Sequence, residues 1–175
     1  MNVSDLVLER SNTIPDFPKP GIVFRDLTPV FADADAFTAV IDDLAARFEG
    51  RFDAVAGVEA RGFLLAAALA YAAHVPLVAI RKGGKLPGHV LTEDYALEYG
   101  TATLEIKPGQ LAAGSRVLIL DDVLATGGSC SAAARLVERA GYTVGGLGLV
   151  LELQGLGGRE RLAAYELYAI VAEPA

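Results

Sequence analysis

The chain contains one cysteine and two histidines, and its apolar runs are short. Each shortage excludes something. Cys130 alone builds no intramolecular disulfide framework and fits a reducing compartment. His74 and His89 lie far apart and lack metal-ligand spacing. The apolar stretch "FLLAAALAYAA" (63–73) falls short of the about 20 residues that a bilayer requires. The first ten residues, "MNVSDLVLER", carry acids where a secretory leader starts basic. These features set the expectation of a soluble, cytoplasmic protein with no membrane contact. Positive charge is also scarce. With 15 Lys and Arg against 22 Asp and Glu, the net charge of -7 argues against general binding of nucleic acid through its phosphates. It leaves room for a local basic site for a phosphorylated small molecule. Two nucleotide-binding strings, the P-loop G-x-x-x-x-G-K-[ST] and the dinucleotide fingerprint G-x-G-x-x-G, are missing, and no internal repeat is visible.

Apolar residues make up 53% of the 175, enough for one domain with a substantial core, spanning 1–175. A short helix is expected over 3–12. Residues 14–29 hold four prolines and a glycine and read as extended and partly irregular. Over 35–48, Phe37, Val40, Ile41, Leu44 and Phe48 share one helical face, with Gly50 as the stop. Strands then alternate with helices: strand 52–58, helix 62–73, strand 76–80, strand 116–120, helix 129–140, strand 143–153, a helical turn in "RERLAA" and a strand at 165–171. This alternation predicts an α/β fold, a parallel twisted sheet flanked by helices. The segment 81–106 breaks the rhythm with glycines, a proline and clustered charge. It reads as a long hairpin or flexible lid, about 82–100, inserted in the core. Residues 1–33 form an N-terminal hood.

"LILDDVLATGGS" (118–129) poses the chemical question. Ligands of open parallel sheets bind beyond the carboxyl ends of the strands, where Asp121 and Asp122 are expected. The residues that follow, Ala125, Thr126, Gly127, Gly128 and Ser129, can wrap backbone N–H groups around an anion and lead into a helix start. Two carboxylates repel a phosphate placed on them, but they accept hydrogen bonds from hydroxyls. A sugar phosphate with vicinal hydroxyls satisfies both halves.

"VLILDDVLATGGS" resembles the phosphoribosyl diphosphate motif of type I phosphoribosyltransferases. Three further segments, "PKPGIVFRDLTPV" (18–30), "GVEARGFLLAAALA" (57–70) and "RKGGKLPG" with "YALEYGTATLEI" (81–88 and 95–106), are similar to the adenine-specific branch of that family, and "GRERL" (158–162) recurs there. Ser129 stands where that family more often has threonine. The resemblance covers nearly the whole chain and implies transfer of 5-phosphoribosyl from 5-phospho-α-D-ribose 1-diphosphate to N9 of adenine, giving AMP and diphosphate. It assigns the 5′-phosphate to 125–129 and the ribose hydroxyls to Asp121 and Asp122. Diphosphate falls to Glu59, Ala60 and Arg61, with a cis peptide at Glu59–Ala60, and to the basic cluster Arg81, Lys82 and Lys85. A guanidinium grips two phosphate oxygens at once, which favours Arg61. Adenine is expected between Phe24 and Leu153, its edge on backbone groups of Val23 and Arg25, with Glu98 as proton handler. The resemblance further implies Mg²⁺, held mainly by substrate and water rather than by direct protein ligands, and a homodimer. Cys130, near a helix start that favours a lowered thiol pKa, has no base partner and is assigned no catalysis. Other readings are a phosphoribosyltransferase for hypoxanthine, guanine, xanthine or orotate, and a regulatory protein that senses phosphoribosyl diphosphate. The latter normally adds a DNA-binding domain, for which this acidic chain has no room beyond the hood.

Overall fold

The computed structural model describes residues 2–97 and 100–175. The chain opens with α1 (Val3–Arg10), whose N-cap Asn2 accepts the Asp5 N–H at 2.8 Å. A hairpin follows, β1 (Asn12–Pro15) antiparallel to β2 (Val23–Asp26), where the prolines had suggested irregular chain. Its loop contains a cis Phe17–Pro18 bond. The short α2 (Thr28–Ala32) leads into α3 (Ala34–Arg47), capped by Asp33, which accepts from Asp35 and Ala36 and also binds Arg10. These elements make up the hood and its anchorage.

The main sheet follows: β3 (Ala54–Val58), α4 (Gly62–Ala73), β4 (Leu77–Lys82), β5 (Leu91–Ala96), β6 (Thr101–Ile106), β7 (Arg116–Leu124), α5 (Gly128–Arg139), β8 (Thr143–Gln154), α6 (Gly158–Arg161) and β9 (Leu167–Pro174). The seven strands run in the order β5-β6-β4-β3-β7-β8-β9. Strands β4, β3, β7, β8 and β9 are parallel, and β6 and β5 continue the sheet antiparallel. The inserted segment is therefore a hairpin that widens the sheet at one edge. It touches β4 at only two register pairs, Arg81 with Glu105 and Lys82 with Leu104.

A strand buried on both faces reads as a continuous apolar run. Val117 and Ile119 of β7 pack with α5, while Leu118 and Leu120 pack with α3 and α4 on the other face. The expected strand 116–120 extends to Leu124, because pairing with β8 continues through Asp121–Leu149 and Val123–Leu151. Asp121 and Asp122 thus belong to the strand's last turns rather than to a loop beyond it. Backbone pairing outlasts the apolar side chains that betray a strand in sequence.

Strand β3 lies at the centre. From β3 the chain passes through α4 outward to β4, and from its neighbour β7 it passes through α5 outward to β8 in the opposite direction. Such a reversal opens a crevice at the carboxyl ends of the two diverging strands.

Candidate active site

A cleft of about 510 Å³ lies at that crevice, lined by Glu59, Ala60 and Arg61 after β3, by Lys82 at the end of β4, by Tyr95–Leu97 of the hairpin, and by 121–130. Expected residues from three of these segments, 59–61, Lys82 and 121–129, converge there. The Glu59–Ala60 peptide is cis, as the resemblance implies.

Asp121 and Asp122 form the floor. Asp121 Oδ1 accepts the Asp122 backbone N–H at 2.9 Å, and Asp122 Oδ2 accepts from Arg61 Nε. The Asp122 side chain is nearly buried while Arg61 is half exposed. Arg61 uses only Nε for this contact; its Nη groups make no hydrogen bond among the described residues, and the side chain lines the cleft. Burial and then the adjacent Asp122 push the Asp121 carboxyl well above its ordinary 3.8. Glycine at 62 is demanded by packing: a side chain there would meet the Leu120 carbonyl at 2.5 Å and Asp121 Oδ1 at 3.3 Å.

The anion cradle follows. Gly127 is the N-cap of α5 in the left-handed region, φ 75°, and no side chain caps this helix. The first turn of a helix leaves N–H groups without intrahelical partners, so the start of α5 offers donors and the positive end of the helix dipole to a ligand. Tyr95, which sequence reasoning passed over, comes down on this turn. Its ring lies 3.4 Å from where a Gly128 side chain would begin. Its hydroxyl pKa is raised, by burial and then by Asp121.

The basic cluster divides. Lys82 lines the cleft, whereas Arg81 and Lys85 do not. Arg81 Nε lies 3.3 Å from Glu59 Oε2, and the same oxygen accepts the Lys82 backbone N–H at 2.8 Å. Those contacts, the Lys82 N–H foremost, lower the Glu59 pKa. A second unforeseen residue organises this loop. The buried Glu105 carboxylate accepts the backbone N–H groups of Gly84, Lys85 and Leu86, which hold its pKa down. The one signal in sequence was an acid inside the alternating "TATLEI".

The expected adenine residues stand outside the cleft lining, on the hood and at the end of β8. Arg25 is committed to Glu173 through two bonds of 2.7 Å and to Ser11 at 3.0 Å. Glu173 is the register partner of Leu153, so this pair fastens the β1–β2 hairpin beside Leu153. Val23 is two-thirds exposed, and Phe24 meets Phe17 edge-on at 5.2 Å between ring centres. Glu98 lies outside the described residues. Cys130 is buried, and burial followed by Asp121 pushes its thiol pKa up, reversing the lowering expected from its helix start. Desolvation outweighs the dipole there.

Fold and cleft together define an α/β protein that takes a phosphorylated, hydroxylated ligand at the carboxyl edge of its sheet. Comparison with known proteins narrows this class. The phosphoribosyl transferase domain family matches residues 29–161. An adenine phosphoribosyltransferase of Clavibacter michiganensis is 68% identical over 168 residues, which is 96% of this chain and 95% of that protein. The crystal structure of the adenine phosphoribosyltransferase of Thermoanaerobacter pseudethanolicus superposes with a TM-score of 0.92 at 46% identity, covering 97% of this chain and 99% of that one. The Giardia lamblia enzyme, solved with 9-deazaadenine, gives 0.91 at 36% identity over 100% and 99%. The chain belongs to the phosphoribosyltransferase family, in its adenine phosphoribosyltransferase branch.

Proposed function

We propose that this chain transfers the 5-phosphoribosyl group of 5-phospho-α-D-ribose 1-diphosphate to N9 of adenine, releasing AMP and diphosphate. One observation carries the reading: a carboxylate pair stands between an uncapped helix start and a guanidinium with free Nη groups. The helix start holds the 5′-phosphate, Asp121 and Asp122 hold the ribose hydroxyls, and Arg61 with Lys82 faces the diphosphate. In the reaction the bond from C1 to the diphosphate oxygen breaks, the bond from C1 to N9 forms, and the N9 proton leaves. Positive charge gathers on the ribosyl ring meanwhile, and carboxylates fixed beside it stabilise that charge. The relatives named for adenine support that base. Phe24 offers a ring face and Leu153 a wall. The Arg25 side chain is occupied by Glu173, which leaves its backbone for the purine edge. Glu98 receives or shares the purine proton.

Mg²⁺ fits the donor set. The cleft presents carboxylate oxygens at Asp121 and Asp122, hard donors that would face such a cation beside the ribose. Among the described residues no group of three or more His, Cys, Asp or Glu forms a cage, and the ion would be held mainly by substrate oxygens and water. When bound it would supply neutralisation of charge on the leaving diphosphate, next to Arg61 and Lys82.

A homodimer joined partly through α4 suits the exposed apolar residues Leu64 and Tyr71 on one face of that helix. Among the described residues no helix is long and apolar enough to cross a membrane, and the lone thiol suits a reducing cytoplasm.

The test is a base panel. Purified protein with phosphoribosyl diphosphate and Mg²⁺ should form AMP from adenine with a far higher kcat/KM than nucleotide from hypoxanthine or guanine, since a site matched to the 6-amino edge leaves polar atoms unpaired with a 6-oxo base. Comparable values for hypoxanthine would refute the assignment.

A further inference from the structure

The "GRERL" segment had no role in the reading above, and its geometry supplies one. Helix α6 is a single turn locked against the anion cradle. Gly158 packs on the Ala125 carbonyl and on Leu124 so closely that any side chain there would collide with that carbonyl. On the cradle side, a side chain at Gly127 would come within 3.0 Å of the Gly158 carbonyl. Arg159 turns toward the sheet and binds the nearly buried Glu152 of β8, with Nε 2.9 Å from Oε1. Leu162 is fully buried in the core on the α5 side. Three anchors therefore fix the position of the residue between them, Arg161.

Arg161 points the other way from Arg159. Its Nη1 lies 3.5 Å from where a Gly128 side chain would begin, beside the uncapped first turn of α5 and just outside the cleft lining. Its side chain makes no hydrogen bond or ion pair among the described residues. The charge balance of the cleft calls for such a group. Asp121 and Asp122 already place two carboxylates beside the cradle, and Arg61 is bonded to one of them. A phosphate entering there adds up to two further negative charges, while 125–129 contributes only backbone amides and hydroxyls.

We propose that Arg161 is a phosphate-binding residue, whose guanidinium closes on the 5′-phosphate from the side opposite the α5 N–H groups. The proposal rests on the phosphoribosyl-transfer reading. A guanidinium fork matches two phosphate oxygens, which an amide ring alone does not provide.

The experiment compares AMP with adenosine, which differs only in lacking the phosphate. Calorimetry on the wild-type protein, Arg161→Gln and Arg161→Lys gives the dissociation constants of both. Arg161→Gln should weaken AMP about tenfold or more, the loss expected for one charged hydrogen-bonding group. Adenosine should be unchanged, Arg161→Gln should flatten the dependence of AMP binding on salt, and Arg161→Lys, which keeps the charge, should recover part of the AMP loss. The KM for phosphoribosyl diphosphate should rise in parallel while the KM for adenine does not. Equal weakening of AMP and adenosine would make Arg161 a purely structural residue and overturn the proposal, as would unchanged AMP binding. Wild-type protein that binds neither AMP nor ribose 5-phosphate would instead refute the parent reading, and this proposal with it.

Discussion

The Asp121 carboxyl is desolvated next to a second carboxylate, and both conditions favour its protonated form. At neutral pH its ionised form therefore costs the folded state something that the unfolded chain does not bear. Asp121→Asn removes that charge and keeps an Oδ1 to accept the Asp122 N–H. We expect a stabler and poorer enzyme: a Tm higher by about 2–4 °C, the shift of ~1 kcal/mol in a chain of this length, and kcat/KM lower by tens- to hundredfold, the worth of a charged hydrogen bond. Thermal melts and steady-state rates on the same sample decide it, and a melt that falls with the activity would remove the conflict argued here. Residues of this kind were legible in sequence because two adjacent acids at a strand end have few structural uses. Arg161 and Tyr95 were not. An arginine in a polar turn reads as solvated, and a tyrosine in a hairpin reads as packing. Only the meeting of α6 and β5 with the start of α5 gives either one a target.

At the scale of elements, the inserted hairpin shows how an edge can be both added and fastened. Strand β5 pairs only with β6, so its remaining hold on the body is α5. Glu93 adds to the packing of Leu91 and Tyr95 there, accepting from Arg135 Nε at 2.6 Å and Arg139 Nη1 at 2.7 Å, while Arg139 also donates to the Thr92 carbonyl. Partly exposed ion pairs contribute only about 0.2–1 kcal/mol each, which makes this a fastening that can open. Glu93→Ala should leave the Tm almost unchanged, speed amide exchange of 91–96 several-fold, and lower kcat/KM because Tyr95 is no longer held over Gly128. Exchange of 91–96 as slow as in the wild type would show that the sheet alone holds β5. Helix α4 was readable to the residue, Gly62–Ala73, since its glycine start and alanine-rich run have one interpretation. The β1–β2 hairpin was not, because prolines hide strand pairing that involves only four residues a side. Nor was the length of β7, whose final turns carry acids.

Across the whole molecule, carboxylates fall into two groups with opposite responses to acid. Asp53 is held down at about 2 by Arg116, and Glu105, Glu93, Glu59, Asp33 and Asp26 are all lowered by backbone N–H groups, hydroxyls or arginines. For each of these the unfolded chain takes up protons first, at its ordinary 3.8 to 4.5. Their stabilisation is thus complete above about 4.5 and fades as the pH falls through the folded values. Asp121 works the other way. Its folded value is raised, so the native state binds its proton first, and stability from this group rises as the pH falls through that value. The overall charge of -7 adds a repulsion that acid also relieves. The urea midpoint should therefore rise slightly from pH 7 toward pH 5 and then drop steeply below 4.5. Two variants separate the contributions. Asp121→Asn should flatten most of the rise and leave the drop in place. Glu105→Gln, which cannot hold three N–H groups with a charge, should make the drop shallower and leave the rise. If the rise persists undiminished in Asp121→Asn, it belongs to the net charge of the molecule, and the active-site carboxyl is not what the fold relaxes when it is acidified.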